Sequence, residues 1–368
     1  MTPGPASREA PPGWEVLLTA EGAELLADIE SELAAGAGAF ELAARLRSRG
    51  IAPEEAAALL SQAELRRKAI GKFGDRAGRF LYTPAGLEQA TRAAVARAHA
   101  RRFAAAGCRV VADLGCGIGA ESLALLEAGC EVRPVEIDAF TARIAEHNLA
   151  TAAAESGSAA PTVVVADARE VTLAGVDGVF LDPARRTAGH RDTRRLTSHA
   201  DYSPPLDFAF GLADELPTGI KLGPGFDRDL IPDAAEAQWV SVDGQLVEMG
   251  LWFGAVARAG IRRAALVLRG EETHELTAAA DHPDAETREL GEYLYEPDGA
   301  VIRARLIGML AQRLDAGMLS DGIAYLTADT CVDTPFAQVF RVLEELPGQE
   351  KHLRRALAAR GIGSLEIK

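Results

Sequence analysis

Arg109-Val110-Val111-Ala112-Asp113-Leu114-Gly115-Cys116-Gly117-Ile118-Gly119 is the stretch that decides the fold. A β-branched run enters closely spaced glycines, and a helical pattern, Glu121-Ser122-Leu123-Ala124-Leu125-Leu126, follows at once. The order reads as strand, glycine-rich turn and helix, an arrangement that turns backbone N–H groups toward a nucleotide-like ligand. Gly115 and Gly117 let the chain turn sharply with no Cβ in the way. Alone, such a cluster is equally a tight turn of any α/β domain, so its flanks carry the decision.

From 109 onward strand and helix patterns alternate. Strands are read at 110–114, 131–137, 162–166 and 178–181, and helices at 120–128 and 139–151. A fifth strand leaves through Ile220-Lys221-Leu222 into Gly223-Pro224-Gly225; 238–242 and 264–268 fit the last strands, and 248–254 stays unassigned. Alternation of this kind, with apolar strands, implies a parallel sheet covered on both faces. Ligands of such sheets sit at the carboxyl ends of the strands. Those ends carry Asp113 and Gly115, then Glu136, Asp167 and Asp182, a carboxylate at each. Lys221, near the fifth end, could meet an anion or a carboxylate.

Two ligand classes compete for the turn. Residues 115–120 satisfy G-x-G-x-x-A, and an acidic residue about twenty positions on completes a dinucleotide fingerprint. Asp113 argues against a dinucleotide, because a carboxylate just before the first glycine repels phosphates. It suits a ligand with a cation, and S-adenosylmethionine carries an ammonium, a sulfonium and no phosphate.

Ala112-Asp113-Leu114-Gly115-Cys116-Gly117-Ile118-Gly119, then Val135-Glu136-Ile137-Asp138, Ala166-Asp167-Ala168 and Leu181-Asp182-Pro183 resemble the ordered motifs of class I S-adenosylmethionine-dependent methyltransferases. The resemblance covers roughly 103–270. It implies a Rossmann-like α/β core with S-adenosylmethionine as cofactor. It also implies that Asp113 and the loop of Gly115, Cys116, Gly117 and Gly119 hold the methionine part. Glu136, followed by Ile137, would accept both ribose hydroxyls, and Asp167 would read the adenine amino group with Ala168 beside the ring.

Asp182-Pro183 resembles the D-P-P-aromatic motif of amino-group methyltransferases that act on nucleic-acid bases. In that family the carboxylate and the proline carbonyl accept hydrogen bonds from the substrate amine, so Asp182 and Pro183 are the catalytic candidates. This sequence departs from the motif: Ala184 replaces the second proline and Arg185 the aromatic. A guanidinium plane can also stack on a base. Arg185, Arg186, Arg191, Arg194 and Arg195, with His190 and His199 among them, read as a phosphate-binding lip or as an Arg-rich lid paired with the protein's own carboxylates. No cysteine lies in the Asp-Pro motif, which speaks against covalent attack on a pyrimidine ring.

Upstream, helical patterns cover 20–35, 38–49, a stretch starting at Pro53, and 85–106. The basic run Arg66-Arg67-Lys68-Ala69-Ile70-Gly71-Lys72 reads as a solvated helix end or as a contact surface for an anionic backbone. Downstream, 271–284 reads as a linker. A helix at 300–314, strands at 323–326 and 337–342, a helix at 349–360 and a strand at 364–368 follow. That order resembles the THUMP-like domain appended to a group of bacterial methyltransferases, which implies RNA binding; Lys351, His352, Arg354, Arg355, Arg360 and Lys368 make it locally basic. Three domains result: an all-α N-terminal domain (1–102), the class I core (103–275) and a small α+β domain (290–368).

The bulk numbers set limits. The chain has 368 residues, 48% hydrophobic and 25% charged, enough for two or three cores. A net charge of −15 excludes a protein that coats nucleic acid with its whole surface. No 18-residue apolar run and no signal pattern occur, which points to the cytoplasm and away from membranes. Cys108, Cys116, Cys130 and Cys331 lack C-x-x-C spacing and read as reduced thiols with no metal. The expectation is an S-adenosylmethionine-dependent methyltransferase with RNA as partner, acting on a base amino group of tRNA or rRNA. The alternatives are a small-molecule or protein methyltransferase, or a non-catalytic RNA-binding protein that retains the donor fold.

Overall fold

The computed structural model describes residues 10–185 and 202–365, and of Ala184 and Arg185 the backbone alone. The chain divides into two compact units, Met1–Gln238 with Glu248–Ile261, and Trp239–Val247 with Arg262–Lys368.

The first unit opens with helices α1 (Ala20–Ala34), α2 (Ala39–Ser48), α3 (Pro53–Phe73), α4 (Pro84–Gln89) and α5 (Ala93–Ala105). Thr19 caps α1 by accepting from Gly22 N, Pro53 fills the first turn of α3, and Thr83 caps α4 through Gly86 N. The single helix read over 85–106 is broken between α4 and α5. Its physical cause is Lys72, whose ammonium donates to the carbonyls of Leu87, Glu88 and Ala90 at 2.8, 2.6 and 2.7 Å. These carbonyls would otherwise need helical partners, so the lysine ends α4 in the manner of a cap. Arg66 is likewise turned inward, to Phe80 O at 2.9 Å and to Glu30. Only part of the basic run, Arg67 and Lys68 included, is exposed.

The sheet follows in the order the alternation implies. Its elements are β1 (Val110–Leu114), α6 (Ala120–Glu127), β2 (Glu131–Glu136), α7 (Ala139–Ser156), β3 (Val164–Val165) and β4 (Gly178–Leu181). Then come β5 (Ala184–Arg185), β6 (Tyr202–Ser203), α8 (Leu206–Ala213), β7 (Thr218–Leu222), β8 (Glu236–Val242) and β9 (Gln245–Phe253). Strands β3-β2-β1-β4-β7 are parallel, β9 is antiparallel to β7, and β8 lies beside β9. This mixed α/β layout, with its parallel-rich sheet, is Rossmann-like, as the sequence implies. β3 is shorter than the strand read at 162–166, because only Val164 and Val165 pair with β2.

The helices before β1 share one apolar core with the sheet rather than forming their own. Leu25, Leu26, Leu59, Phe80 and Leu81 cluster with Cys116, Ile118, Ala145 and Leu149. A second cluster joins Phe103, Val111, Val132, Phe180 and Trp252. Full burial of such side chains stabilises by roughly 1.5–3 kcal/mol each. The contact units therefore do not follow the boundary read at 102. Asn148 of α7 pins the two parts together: it bonds Leu81 N and O at 2.7 and 2.9 Å and Ile118 O at 3.0 Å. Gly86 of α4 presses on the glycine turn so closely that a Cβ would lie 2.4 Å from Ile118 Cγ2 and 2.6 Å from Thr83 Oγ1. Gly86→Ala is therefore expected to cost about 1–3 kcal/mol through overpacking, seen as a lowered Tm in thermal melts. An unchanged Tm contradicts this.

In the second unit β10 (Arg263–Arg269) and β11 (Glu272–Ala278) form an antiparallel hairpin. The expected linker at 271–284 thus contains a strand, which buries Leu276. Then come β12 (Tyr293–Pro297), α9 (Gly299–Arg303), α10 (Ile307–Leu314), β13 (Gly317–Ser320), β14 (Ile323–Ala328), β15 (Ala337–Arg341) and α11 (Glu350–Ala359). The antiparallel sheet runs β13-β14-β12-β15. The helix read at 300–314 is split by Arg305, whose φ of 59° leaves the helical region. Ser364 and Leu365 carry no regular structure, and the remainder of the strand read at 364–368 lies outside the described residues.

Candidate active site

The turn after β1 is built by its glycines. Gly115, Gly117 and Gly119 have φ of 89°, 56° and 91°, a region that L side chains avoid. Gly115 N and Cys116 N both donate to Val135 O at 2.9 Å. Glu136, ending β2, spans two turns: Gly117 N donates to its Oε2 and Asp138 N to its Oε1, each at 2.9 Å. Burial raises the Glu136 pKa, and the N–H groups of Asp138 and Gly117 counter that rise. A Cβ at Gly117 would meet nothing within 4 Å, and one at Gly115 only Asp182 O at 3.6 Å. The turn thus leaves open space beside the end of β4.

Asp113 is 1% exposed and accepts from Ser122 Oγ of α6 at 2.5 Å. Burial, helped by Glu121 and Asp182, pushes its pKa from 3.8 up to about 7. Across that interval the folded chain holds a proton that the unfolded chain releases, so this group's contribution lowers stability as pH rises. Asp113→Asn should flatten the fall in unfolding free energy between about pH 5 and 8 by something on the order of 2 kcal/mol. Denaturant titrations at both pH values check this, and an unchanged slope contradicts it.

The other cofactor candidates are placed as follows. Ile137 is 44% exposed beside Glu136. Asp167, beside the partly exposed Ala168, is engaged by Arg169 through its backbone N at 2.9 Å, Nε at 3.0 Å and Nη2 at 2.6 Å. Cys116 is buried in the core shared with the N-terminal helices, where burial raises its thiol pKa well above the usual value. Its side chain therefore packs inward, and only its backbone is open to the loop's role in holding a ligand.

Asp182 follows β4 and Pro183 is buried next to it. Asp182 Oδ2 accepts from Lys221 Nζ at 2.5 Å, and among the described residues nothing bonds to Oδ1. The Asp182 side chain is 33% exposed and that of Lys221 12%. Burial raises the Asp182 pKa, and Lys221 opposes the rise. Lys221 also donates to Thr91 Oγ1 at 3.1 Å and to Gln89 O at 3.2 Å. Behind this group His99 lies between Glu121 Oε1 at 3.1 Å and Glu248 Oε1 at 3.0 Å, stacked on Phe180. Burial opposes its charge, but the two carboxylates prevail and raise its pKa to about 10.

Sequence reasoning left Lys221 open and missed Thr91, His99, Glu121, Ser122 and Asn148. They sit inside helices or just before them, where a lone polar residue carries no spacing signal. Arg185 contributes backbone pairing to β6. Arg186, Arg191, Arg194 and Arg195 lie outside the described residues. Among the described residues there is no cluster of three or more His, Cys, Asp or Glu that could hold a metal, and no helix long and apolar enough to cross a membrane.

A parallel-rich sheet, an open glycine turn and an acidic residue at each strand end are the layout of a class I S-adenosylmethionine-binding protein. Comparison with known proteins agrees. Two chains described as uncharacterized S-adenosylmethionine-dependent methyltransferases, from two strains of Mycobacterium tuberculosis, are each 35% identical over 313 residues, which is 82% of this chain and 82% of theirs. The chain belongs to the S-adenosylmethionine-dependent methyltransferases. A crystal structure of an inferred methyltransferase from Porphyromonas gingivalis has a TM-score of 0.68 at 22% identity, covering 91% of this chain and 86% of that one, a likeness of fold. The family model "Domain of unknown function (DUF8688)" matches residues 12–69.

Proposed function

We propose that this methyltransferase acts on an amino group of an RNA base, in tRNA or rRNA. The observation that carries the reading is Asp182. Its Oδ2 is spent on Lys221, its Oδ1 has no hydrogen-bond partner among the described residues, and its main-chain oxygen borders the Gly115 turn. Gly115, Cys116, Gly117 and Gly119 would hold the methionine part of the donor through their backbone. Asp113 would face its ammonium, whose positive charge favours the ionised carboxylate, while Glu136 would hold the ribose, Ile137 and Ala168 the adenine faces, and Asp167 the adenine amino group. When bound, S-adenosylmethionine supplies a methyl group already activated by its sulfonium.

The chain's own task is then alignment. The Asp182 carboxylate and the Pro183 carbonyl accept from the acceptor amine, which points its lone pair at the methyl group and takes up the positive charge that develops on nitrogen. RNA as the acceptor is supported by the Asp-Pro resemblance, by the arginines at 185, 186, 191, 194 and 195, and by exposed Lys351, Arg354, Arg355 and Arg360 around α11. In this reading 290–368 acts as a THUMP-like RNA-binding part, 103–275 as the catalytic core and 1–102 as its helical support, in a cytoplasmic enzyme.

The net charge of −15 favours a second reading, methylation of a small molecule or a protein. Methyl-label transfer to a lysate from a strain lacking the protein separates the two. Label in a single modified nucleoside is expected, and label confined to protein or metabolites overturns the RNA reading.

A further inference from the structure

Resting on the assignment of Asp182 as the acceptor-facing carboxylate, we infer that Lys221 is the positioning residue of that carboxylate, held in place by Thr91 and the buried His99–Glu121–Glu248 group. The ammonium has three N–H donors, and all are used: Asp182 Oδ2 at 2.5 Å, Thr91 Oγ1 at 3.1 Å and Gln89 O at 3.2 Å. Its direction is therefore fixed from two sides of the site, the end of β7 and the link between α4 and α5. Thr91 accepts from Lys221, which leaves its hydroxyl hydrogen for Glu121. Glu121 in turn faces one nitrogen of His99, and Glu248 faces the other. The charges along this buried chain alternate, Asp182 negative, Lys221 positive, Glu121 negative, His99 positive, Glu248 negative.

That alternation matters for the chemistry. A partly buried carboxylate with the like charges of Glu248 of β9 and Glu121 of α6 nearby would otherwise hold its proton more tightly. A protonated Asp182 would present an O–H that competes for the lone pair of the acceptor amine, and would lose the negative charge that stabilises the positive charge developing on its nitrogen. Lys221 of β7 is the one positive group bonded to it among the described residues. By occupying Oδ2 it also stops the carboxyl from turning, so Oδ1 is the oxygen presented to the acceptor.

Lys221→Met keeps the length of the side chain and removes the ammonium. In this variant the Asp182 carboxyl, followed by carbon-13 NMR of labelled aspartate, should titrate more than about one pH unit higher than in the wild type. Affinity for S-adenosylhomocysteine should be retained. Methyl transfer into whole lysate of a strain lacking the protein (RNA, protein and metabolites together) should fall more than about tenfold near pH 6.5 and recover as the pH rises and Asp182 ionises. A merely structural defect would lower the rate evenly at every pH. Thr91→Val, which keeps the ion pair but loosens it, should shift the same titration in the same direction by less, and it serves if Lys221→Met does not fold. An unshifted Asp182 titration in the folded variants, or a loss of transfer equal at every pH, overturns the inference. Wild-type transfer by Asp182→Asn would instead overturn the assignment of Asp182, while the titration would still report the coupling of Lys221 to it.

Discussion

Asp182→Asn should abolish methyl transfer by a factor of at least about 10², the range expected when a positioned acceptor of a proton or hydrogen bond is removed, with the affinity for S-adenosylhomocysteine unchanged. The amide keeps the shape of the carboxyl but loses its charge, so neither the N–H of the acceptor amine nor the positive charge growing on its nitrogen finds an anion. Donor binding is expected to survive because, among the described residues, the Asp182 side chain bonds to Lys221 and not to the glycine turn or Glu136. Calorimetry with S-adenosylhomocysteine beside a methyl-label assay reads both quantities. A variant that still transfers at the wild-type rate contradicts the role given to Asp182, and one that loses donor binding in parallel shows a role in the fold.

Glu136→Ala carries the second large effect, this time on the donor. Hydrogen bonds to a charged group contribute roughly 1.5–3 kcal/mol each. Loss of the carboxylate that would accept the ribose hydroxyls should weaken S-adenosylhomocysteine binding by about 10- to 100-fold. The same change frees Gly117 N and Asp138 N, which Glu136 now holds at 2.9 Å. Part of the loss would therefore come from a looser turn. Glu136→Gln separates the two, since its amide oxygen still accepts one N–H but its NH₂ cannot accept from a hydroxyl. An unchanged Kd in Glu136→Ala contradicts the placement of the ribose.

The parallel half of the sheet was legible because its strands are short apolar runs bounded by glycine or acidic residues. β1, β2 and β4 fall where periodicity puts them. β9 was not legible: Glu248 and Gly250 interrupt its apolar run, and Glu248 is tolerated inside only because His99, over a hundred residues earlier, faces it. β11 looked like a linker because an edge strand needs only Leu276 as an apolar anchor, while its pairing with β10 is set by the backbone. The break between α4 and α5 was hidden in an alanine-rich sequence, since the residue that causes it, Lys72, belongs to α3. The same reason separates the two halves of the site. Residues at strand ends announce themselves through their position, as Asp113, Glu136 and Asp182 do. Thr91, His99 and Lys221 acquire meaning only when helices that precede the sheet in sequence are packed against it.

Where the donor lies relative to Asp182 decides the assignment of the site most directly. A crystal structure with S-adenosylhomocysteine bound measures this. The homocysteine is expected over the Gly115–Gly119 turn, the ribose on Glu136, and the sulfur facing Asp182 Oδ1. A ligand bound away from this turn, or one whose sulfur faces away from Asp182, would contradict it.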